Sequence, residues 1–264
     1  MSLVMRSLSI FTLFVILALT AWTQQAQAPV EITSEPSHHK VLDNLFVRVF
    51  AVSVDPGKST LMHRHGHDYL SVSVGDAQIM NVREGAQPVP VTFKDGDVRF
   101  SPAGLVHAVT NTGSKPFHNA TIELLAPTTN QKSCTESCAI PVPCDSADKA
   151  ACVSVVKVFS SDQWSVTLAT LPPGAKYAQH THLAHFLNVP LADAEVTMRN
   201  QDQPETVVHS KAGEVTWNNP VVHTVTNTGK TTARVVVLEF RGRPAGEGSE
   251  SLGPKDAPKP HDYH

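Results

Sequence analysis

The sequence lacks the features of several large functional classes. It has no run of basic residues, and its 21 Lys and Arg residues are outnumbered by 24 Asp and Glu residues, for a formal net charge of −3. A nucleic-acid-binding surface needs a basic patch or stripe, so nucleic acid is not expected as a partner. The sequence also contains no G-x-S-x-G turn, no phosphate-binding glycine loop and no dinucleotide-binding fingerprint.

Cysteine is scarce and confined to one segment. Cys134, Cys138, Cys144 and Cys152 are the four cysteines of the chain, and all lie in CTESCAIPVPCDSADKAAC. In an exported chain, an even and clustered set predicts two disulfides, for which three pairings exist. A zinc site of four thiolates is the alternative, although the segment has no C-x-x-C pair.

Long hydrophobic runs are missing too. The apolar stretch from Leu8 to Leu19 is too short for a comfortable membrane span; it follows Arg6 and precedes small and polar residues that end in Ala26-Gln27-Ala28. This layout predicts a secretory signal peptide over residues 1–28, and hence a secreted or periplasmic protein with no membrane contact after its removal. An uncleaved anchor is the alternative. Residues 241–264, rich in Pro, Gly and charge, are predicted to be a disordered tail.

What the chain does have is short apolar segments with strand periodicity. LFVRVFAVSV, YLSVSVG and VTFKDGDVRF are rich in Val, Phe and Thr, and Pro-Gly, Asp-Gly and Asn-Thr-Gly turns separate such segments. No helical periodicity accompanies them. The pattern predicts an all-β sandwich or barrel.

The segments repeat. Pro56-Gly57 is followed after five residues by His63-Arg64-His65, and Pro173-Gly174 is followed after five residues by His180-Thr181-His182. Further along, HAVTNTG from His107 matches HTVTNTG from His223 except at the second residue. The chain therefore contains two copies of one module, predicted as a first domain over residues 29–145, which includes the cysteine segment, and a second over residues 146–240.

Histidines two apart on a strand share one face, and neutral imidazole is the commonest metal ligand in proteins. Together with the glycines around them, these histidines resemble the two motifs of the cupin superfamily. The first copy matches at Gly57, His63, His65 and Gly75, and then at Gly96, Pro102, Gly104, His107 and Asn111. The second copy keeps Gly174, His180, His182, His223 and Asn227, but has Asn218-Asn219-Pro220 in place of the Pro-x-Gly turn.

The resemblance implies a bicupin: two double-stranded β-helix (jelly-roll) barrels in tandem, each binding one divalent ion through three histidines and a carboxylate. This chain departs from the family at the carboxylate. In the first copy Asp68 is the nearest substitute, with His67 as the alternative, and the residue matching Asp68 in the second copy is His185. The expected ligands are therefore His63, His65, Asp68 or His67, and His107 in one barrel, and His180, His182, His185 and His223 in the other.

The implied metal is Fe, Mn, Cu, Ni or Zn. Two functions follow from the resemblance. One is a metalloenzyme with dioxygenase-like, isomerase or lyase chemistry on a small organic molecule, for which Tyr69 and Arg99 are candidate catalytic or substrate-contacting residues. The other is a non-catalytic protein that binds or stores a metal or a small ligand. The sequence leaves a homo-oligomer open.

Overall fold

The computed structural model describes residues 28–135, 138–144 and 146–241. The predicted signal peptide, apart from Ala28, and the predicted tail, apart from Arg241, lie outside the described residues. The described chain consists almost entirely of β-strands arranged as two barrels in tandem, which confirms the predicted fold class. No helix among these residues is both long enough and apolar enough to cross a membrane.

Barrel one contains ten strands in two sheets. They are β1 (Val30–Glu31), β2 (His38–Asp43), β3 (Val47–Val54), β4 (His63–Arg64), β5 (Asp68–Val74), β6 (Ala77–Arg83), β7 (Val89–Phe93), β8 (Val98–Ser101), β9 (Val106–Asn111) and β10 (Phe117–Leu124). A 3₁₀ helix, Ile32–Ser34, lies between β1 and β2. The sheet orders are β1-β4-β9-β6-β7 and β2-β3-β10-β5-β8. All pairs are antiparallel except β1 and β4, which run parallel.

Barrel two repeats this arrangement. Its strands are β13 (Ser154–Ser160), β14 (Trp164–Leu171), β15 (Lys176–His182), β16 (Phe186–Pro190), β17 (Ala194–Asn200), β18 (Thr206–Ser210), β19 (Thr216–Asn218), β20 (Val221–Asn227) and β21 (Ala233–Phe240). One sheet has the order β15-β20-β17-β18, and the other contains β13-β14-β21-β16-β19. Between the barrels lie β11 (Lys132–Ser133), β12 (Ala139–Ile140) and a 3₁₀ helix, Lys149–Ala151, and both short strands pair with β13.

Strand alternation gives each barrel an inner and an outer apolar face. On β3, Phe50 and Val52 point into barrel one, where they pack against Ile79 and Phe117. Their neighbours Val47 and Val49 point outward and join a cluster that also contains residues of barrel two. Because side chains on a strand alternate between its faces, one β-strand sequence serves both the barrel interior and the surface between the barrels.

The two barrels pack against each other through these outer faces, and the contacts are reciprocal. Gly96 of barrel one lies against Leu191 of barrel two, and Gly213, which matches Gly96 in the repeat, lies against Val74, which matches Leu191. Gly96 has a φ of +84°, which favours glycine, and a Cβ atom there would lie 2.7 Å from Leu191 Cδ1, so a larger residue would also displace that side chain. Such reciprocity is the pattern of a two-fold dimer interface, here within one chain.

The cysteine segment forms two disulfides, Cys134–Cys138 and Cys144–Cys152. This pairing is one of the three that the sequence left open, and it replaces the alternative of a zinc site made of four thiolates. Two disulfides are typical of proteins that fold in an oxidising compartment.

Candidate metal centres

Three histidines converge inside barrel one. His63 lies on β4 and His65 directly follows it, while His107 lies on the adjacent β9, where it is the register partner of His63. Each offers a ring nitrogen, and the three nitrogens lie within 4.8 Å of one another. His63 and His65 are each 1% exposed, so both rings are fully buried.

The hydrogen bonds fix which ring nitrogens face the centre. His63 donates from Nδ1 to the Leu61 carbonyl oxygen at 2.9 Å, and His107 donates from Nδ1 to Asn81 Oδ1 at 2.9 Å. Their Nε2 atoms therefore carry lone pairs. The Nε2 atom of His63 is buried without a hydrogen-bond partner among the described residues, and the Nε2 atoms of His65 and His107 lie 3.1 Å apart.

This geometry fits a metal ion. Two nitrogens bound to one ion at about 2.1 Å lie about 3.0 Å apart when the angle at the ion is near 90°. Burial and, to a smaller extent, the neighbouring imidazoles lower the pKa of His63 to about 4, that of His107 to about 3 and that of His65 to about 2. All three rings are therefore neutral at pH 7, which is the form that binds a metal.

The predicted fourth ligand of barrel one lies elsewhere. Asp68 accepts hydrogen bonds from the Ala103 amide at 2.8 Å and from the Thr128 amide at 3.0 Å, so both of its carboxylate oxygens hold loops in place. His67 is also outside the cluster. Neither residue joins the three histidines.

Tyr69, a candidate catalytic residue from the sequence, packs against the cluster with the face of its ring. Its ring stacks on that of His65 with centroids 3.9 Å apart and 13° between the planes. Tyr69 is 5% exposed, and burial raises its pKa. The stacked ring restricts the rotation of His65, which makes Tyr69 a positioning residue.

A cavity of about 130 Å³ adjoins the three histidines, and Tyr69 and Arg99 also line it. Arg99 is an exposed residue whose guanidinium donates to the Thr92 carbonyl oxygen and lies 4.2 Å from the centre of the Phe93 ring. A second exposed arginine, Arg83, lines the same cavity and was missed by sequence reasoning, because nothing in a surface strand distinguishes it. Two guanidinium groups at the mouth favour an anionic ligand.

His38 is a further residue that the sequence did not reveal. It lies at the start of β2, lines the cavity, and has its ring centroid 4.7 Å from that of His63. It belongs to no motif and lies 25 positions before His63. Only the pairing of β2 with β3 and of β1 with β4 brings this part of the chain to the site.

Barrel two has the matching triad. The ring nitrogens of His180, His182 and His223 lie within 4.8 Å of one another, and the Nε2 atoms of His180 and His223 are 2.9 Å apart. His180 donates from Nδ1 to the Ala178 carbonyl oxygen at 2.9 Å, as His63 does to Leu61. Burial lowers the pKa of His223 to about 4 and also lowers that of His180. This triad too is suited to a divalent ion.

His185, the fourth ligand expected in barrel two, lies outside the triad. Its ring stacks on Trp217 at 5.5 Å and also packs against Phe46 of barrel one. The residue therefore belongs to the surface between the barrels. Its aromatic contacts, and its place outside the group of three, do not support the predicted role as a ligand.

Each barrel has a glutamate at a matched position on its last strand, half-buried Glu239 in barrel two and buried Glu123 in barrel one. In barrel two, Glu239 Oε2 lies 3.5 Å from His182 Nδ1, and Glu239 Oε1 accepts a hydrogen bond from the Leu183 amide at 3.0 Å. Glu123 occupies the matched position in barrel one, where it is 1% exposed and lies 3.5 Å from Arg48 Nη1. Glu239 lies on the side of His182 where a carboxylate can orient a metal-ligating ring, but at this distance His182 Nδ1 has no hydrogen-bond partner among the described residues.

Comparison with known proteins supports the fold. No protein-family model matches the chain. The beta-alanine degradation protein BauB of Pseudomonas aeruginosa is 35% identical over 74 residues, which are 28% of this chain and 76% of that protein. Among solved structures, AerE from Microcystis aeruginosa superposes with a TM-score of 0.52 at 11% identity, covering 79% of this chain and 99% of that one.

Oxalate decarboxylase from Bacillus subtilis, an enzyme with Mn(II) centres, superposes with a TM-score of 0.50 at 14% identity. The match covers 74% of this chain and 68% of that one, so it spans both barrels. At such low identity, the two structural matches establish the architecture alone.

Proposed function

The chain belongs to the cupin superfamily, in the family of the beta-alanine degradation protein BauB, and on that premise we propose that it is an exported metal-dependent enzyme acting on a small organic anion in barrel one. The reaction class is dioxygenase-like, isomerase or lyase chemistry. The observation that carries the proposal is the cavity of barrel one, where three neutral imidazoles share one small space with Arg83 and Arg99.

Each part of the cavity has a role in this proposal. A divalent ion held by the three histidines would supply a Lewis acid or redox centre. Arg83 and Arg99 attract the anionic end of the substrate and orient it. The apolar side chains of Val52, Ile79 and Phe93 line the cavity and limit the water inside, which strengthens these electrostatic interactions.

The names of the similar proteins agree with a carboxylate substrate. Oxalate is a dicarboxylate, and beta-alanine carries one carboxylate. A cavity of about 130 Å³ suits a molecule of a few heavy atoms. We therefore propose mono- and dicarboxylates with short carbon chains as the first substrates to test.

The metal of barrel one is proposed to be Mn, Fe, Cu, Ni or Zn. Imidazole nitrogens suit Fe, Cu, Ni and Zn, and Mn is the metal of the oxalate decarboxylase that shares the architecture. Export is proposed from the two disulfides, which need an oxidising compartment, together with the predicted signal peptide.

Barrel two supports a second function, metal binding without turnover. The residues that match Asn81, Arg83 and Arg99 of barrel one are Met198, Asn200 and Thr216. The triad of barrel two therefore has no arginine at either matched position. We propose that this barrel binds its ion for stability or storage.

Anion binding to the metal-loaded protein tests the proposal. We expect calorimetric titration with oxalate, malonate and 3-hydroxypropionate to detect binding of at least one, and we expect binding to be lost in His65→Ala and in Arg83→Gln/Arg99→Gln. The control is Lys94→Gln, which removes an exposed cation that does not line the cavity. Equal binding by the wild type and the double arginine variant would contradict the proposal.

A further inference from the structure

A buried carboxylate–imidazole pair lies beside the triad of barrel one. Glu35 Oε2 accepts a hydrogen bond from His38 Nδ1 at 2.5 Å, and the side chains of the two residues are 1% and 5% exposed. Glu35 also accepts from the Ser37 amide at 2.8 Å and from the Leu61 amide at 3.1 Å. Burial alone would raise the pKa of Glu35, but these hydrogen bonds outweigh it and hold the pKa below its usual value.

The pair fixes the tautomer of His38. In the neutral imidazole, donation from Nδ1 to the Glu35 carboxylate leaves the lone pair on Nε2. Among the described residues, the ring makes no hydrogen bond other than that to Glu35. The same ring lines the cavity that contains the triad. A histidine held by a carboxylate on one nitrogen, with the other nitrogen free, has the arrangement found in many protein metal ligands.

The distances place His38 on the His63 side of the triad. Its ring centroid lies 4.7 Å from that of His63 and 6.4 Å from that of His65. The centroids of the triad itself are 4.7 to 5.2 Å apart. Rings that share one ion have centroids about 4.5 to 6.5 Å apart, according to the angle at the ion, when the metal–nitrogen distance is about 2.1 Å.

We propose that His38 supplies the fourth ligand of the metal in barrel one, with Glu35 as its positioning residue. This inference rests on the proposal that barrel one binds a divalent ion. His38, Asp68 and His67 all lie outside the group of three whose ring nitrogens are within 4.8 Å of one another, so the His38 ring must move towards the ion to bind it. We assign the ligand to His38 because it lines the cavity and its Nε2 has no hydrogen-bond partner among the described residues, whereas both carboxylate oxygens of Asp68 bind loop amides. The three-nitrogen cluster thereby becomes a four-nitrogen site that keeps the cavity side open.

Barrel two provides an internal comparison. His38 pairs with Val52 between β2 and β3, and the corresponding pair between β13 and β14 is Val155 with Ala169. Val155 is a buried aliphatic residue. The residue matching Glu35 is Cys152, which is in a disulfide. Barrel two has neither member of the pair, so the fourth ligand belongs to barrel one alone.

The N-terminal segment that carries the pair also covers the ligand strand. β1 runs parallel to β4, and the Val30 amide donates to the Met62 carbonyl oxygen at 2.9 Å. In barrel two, β15 carries His180 and His182 and pairs only with β20 among the described strands. The same segment therefore both encloses the site of barrel one and contributes a ligand to it.

Cobalt binding tests the proposal with a spectroscopic readout. The parent is the full chain carrying His180→Ala and His182→Ala, which leaves barrel one as the metal site. Co(II) affinity is measured by chelator competition, and ligand number is read from the intensity and position of the visible absorption bands. We expect His38→Ala and His38→Gln to weaken Co(II) binding by at least about 100-fold and to change the spectrum, because removing a ligand exceeds the effect of removing its hydrogen-bond partner.

Two further variants complete the test. Glu35→Gln keeps a group that accepts from the Leu61 amide and is expected to weaken Co(II) binding about 10-fold to 100-fold without changing the ligand number. His39→Ala, which removes the adjacent exposed histidine, is the matched control and should leave both affinity and spectrum unchanged.

The outcomes separate this inference from the proposed function. If the parent binds Co(II) and both His38 variants keep its affinity and spectrum, the assignment of His38 is wrong while the metal site stands. If the parent itself binds no Co(II), the metal site of barrel one is wrong, and the assignment of His38 falls with it. Circular dichroism of each variant establishes that a loss of binding is not a loss of fold.

Discussion

The two barrels share a fold and a histidine triad but differ in what surrounds the triad. In barrel one, His63 is 1% exposed, β1 covers the ligand strand, and arginines line the cavity. In barrel two, His180 and His182 are partly exposed on β15, and the positions matching Arg83 and Arg99 hold the neutral residues Asn200 and Thr216, although Arg199 lines a separate pocket beside His223. The comparison teaches that the two barrels share a candidate metal-binding triad, whereas the residues around the triad differ in charge and burial.

Removal of one triad histidine in each barrel should have the largest effect. We expect the wild type to bind one ion per barrel, His65→Ala to lose the ion of barrel one together with anion binding, and His182→Ala to lose only the ion of barrel two. Plasma mass spectrometry of purified protein without a histidine tag measures the metal content. If His182→Ala lost anion binding and His65→Ala kept it, the roles assigned to the two barrels would be reversed.

Acid should destabilise the metal-free protein. The pKa values of His63 and His107 are lowered to about 4 and about 3 in the folded state, while the unfolded chain titrates near 6.5. The unfolded state therefore binds more protons below about pH 6.5, and stability is lost as the pH falls from there towards the folded pKa values. One pKa unit corresponds to about 1.4 kcal/mol, so a loss of a few kcal/mol is expected.

Urea unfolding of metal-free protein at pH 7.5 and pH 5 measures this loss. His63→Phe/His107→Phe should reduce the pH dependence, since it removes two of the groups that must remain neutral. A pH dependence that is unchanged in this double variant would show that other groups are responsible.

Exchange of the cavity arginines should have an intermediate effect. We expect Arg99→Thr, which installs the residue of barrel two, to weaken carboxylate binding about 10-fold to 100-fold, because a hydrogen bond to a charged group contributes about 1.5 to 3 kcal/mol. Metal content should not change. The matched control is Thr216→Ala in barrel two, for which the same titration should give the wild-type affinity.

The smallest expected effect concerns the residue behind the third histidine. His107 donates to Asn81 Oδ1, whereas Met198 occupies the matched position behind His223, whose Nδ1 has no hydrogen-bond partner among the described residues. We expect Asn81→Met to weaken metal binding in barrel one about 10-fold and Met198→Asn to strengthen it in barrel two. Chelator competition measures both metal affinities. The decisive result is a lower affinity in Asn81→Met together with a higher affinity in Met198→Asn.

Prediction from sequence was strongest where the information is local or repeated. The alternation of Val and Ser along YLSVSVG follows from strand geometry, and the spacing of the two histidine motifs made the duplication visible. The structure brings together His63, His65 and His107, and likewise His180, His182 and His223. The structure leaves the two residues predicted as fourth ligands outside these groups, because Asp68 accepts from two loop amides and His185 stacks on Trp217.

The sequence by itself determined the all-β fold, the duplication and the two triads, because each depends on residues that are close in the chain or recur at a fixed offset. Tertiary structure alone decided the placement of Arg83, His38 and Glu35. These residues belong to no motif, and they reach the cavity of barrel one through strand pairing between distant segments. Short-range sequence patterns do not show which side chains from distant segments line the same cavity. The residues that line the cavity together with the triad are what distinguishes the two barrels.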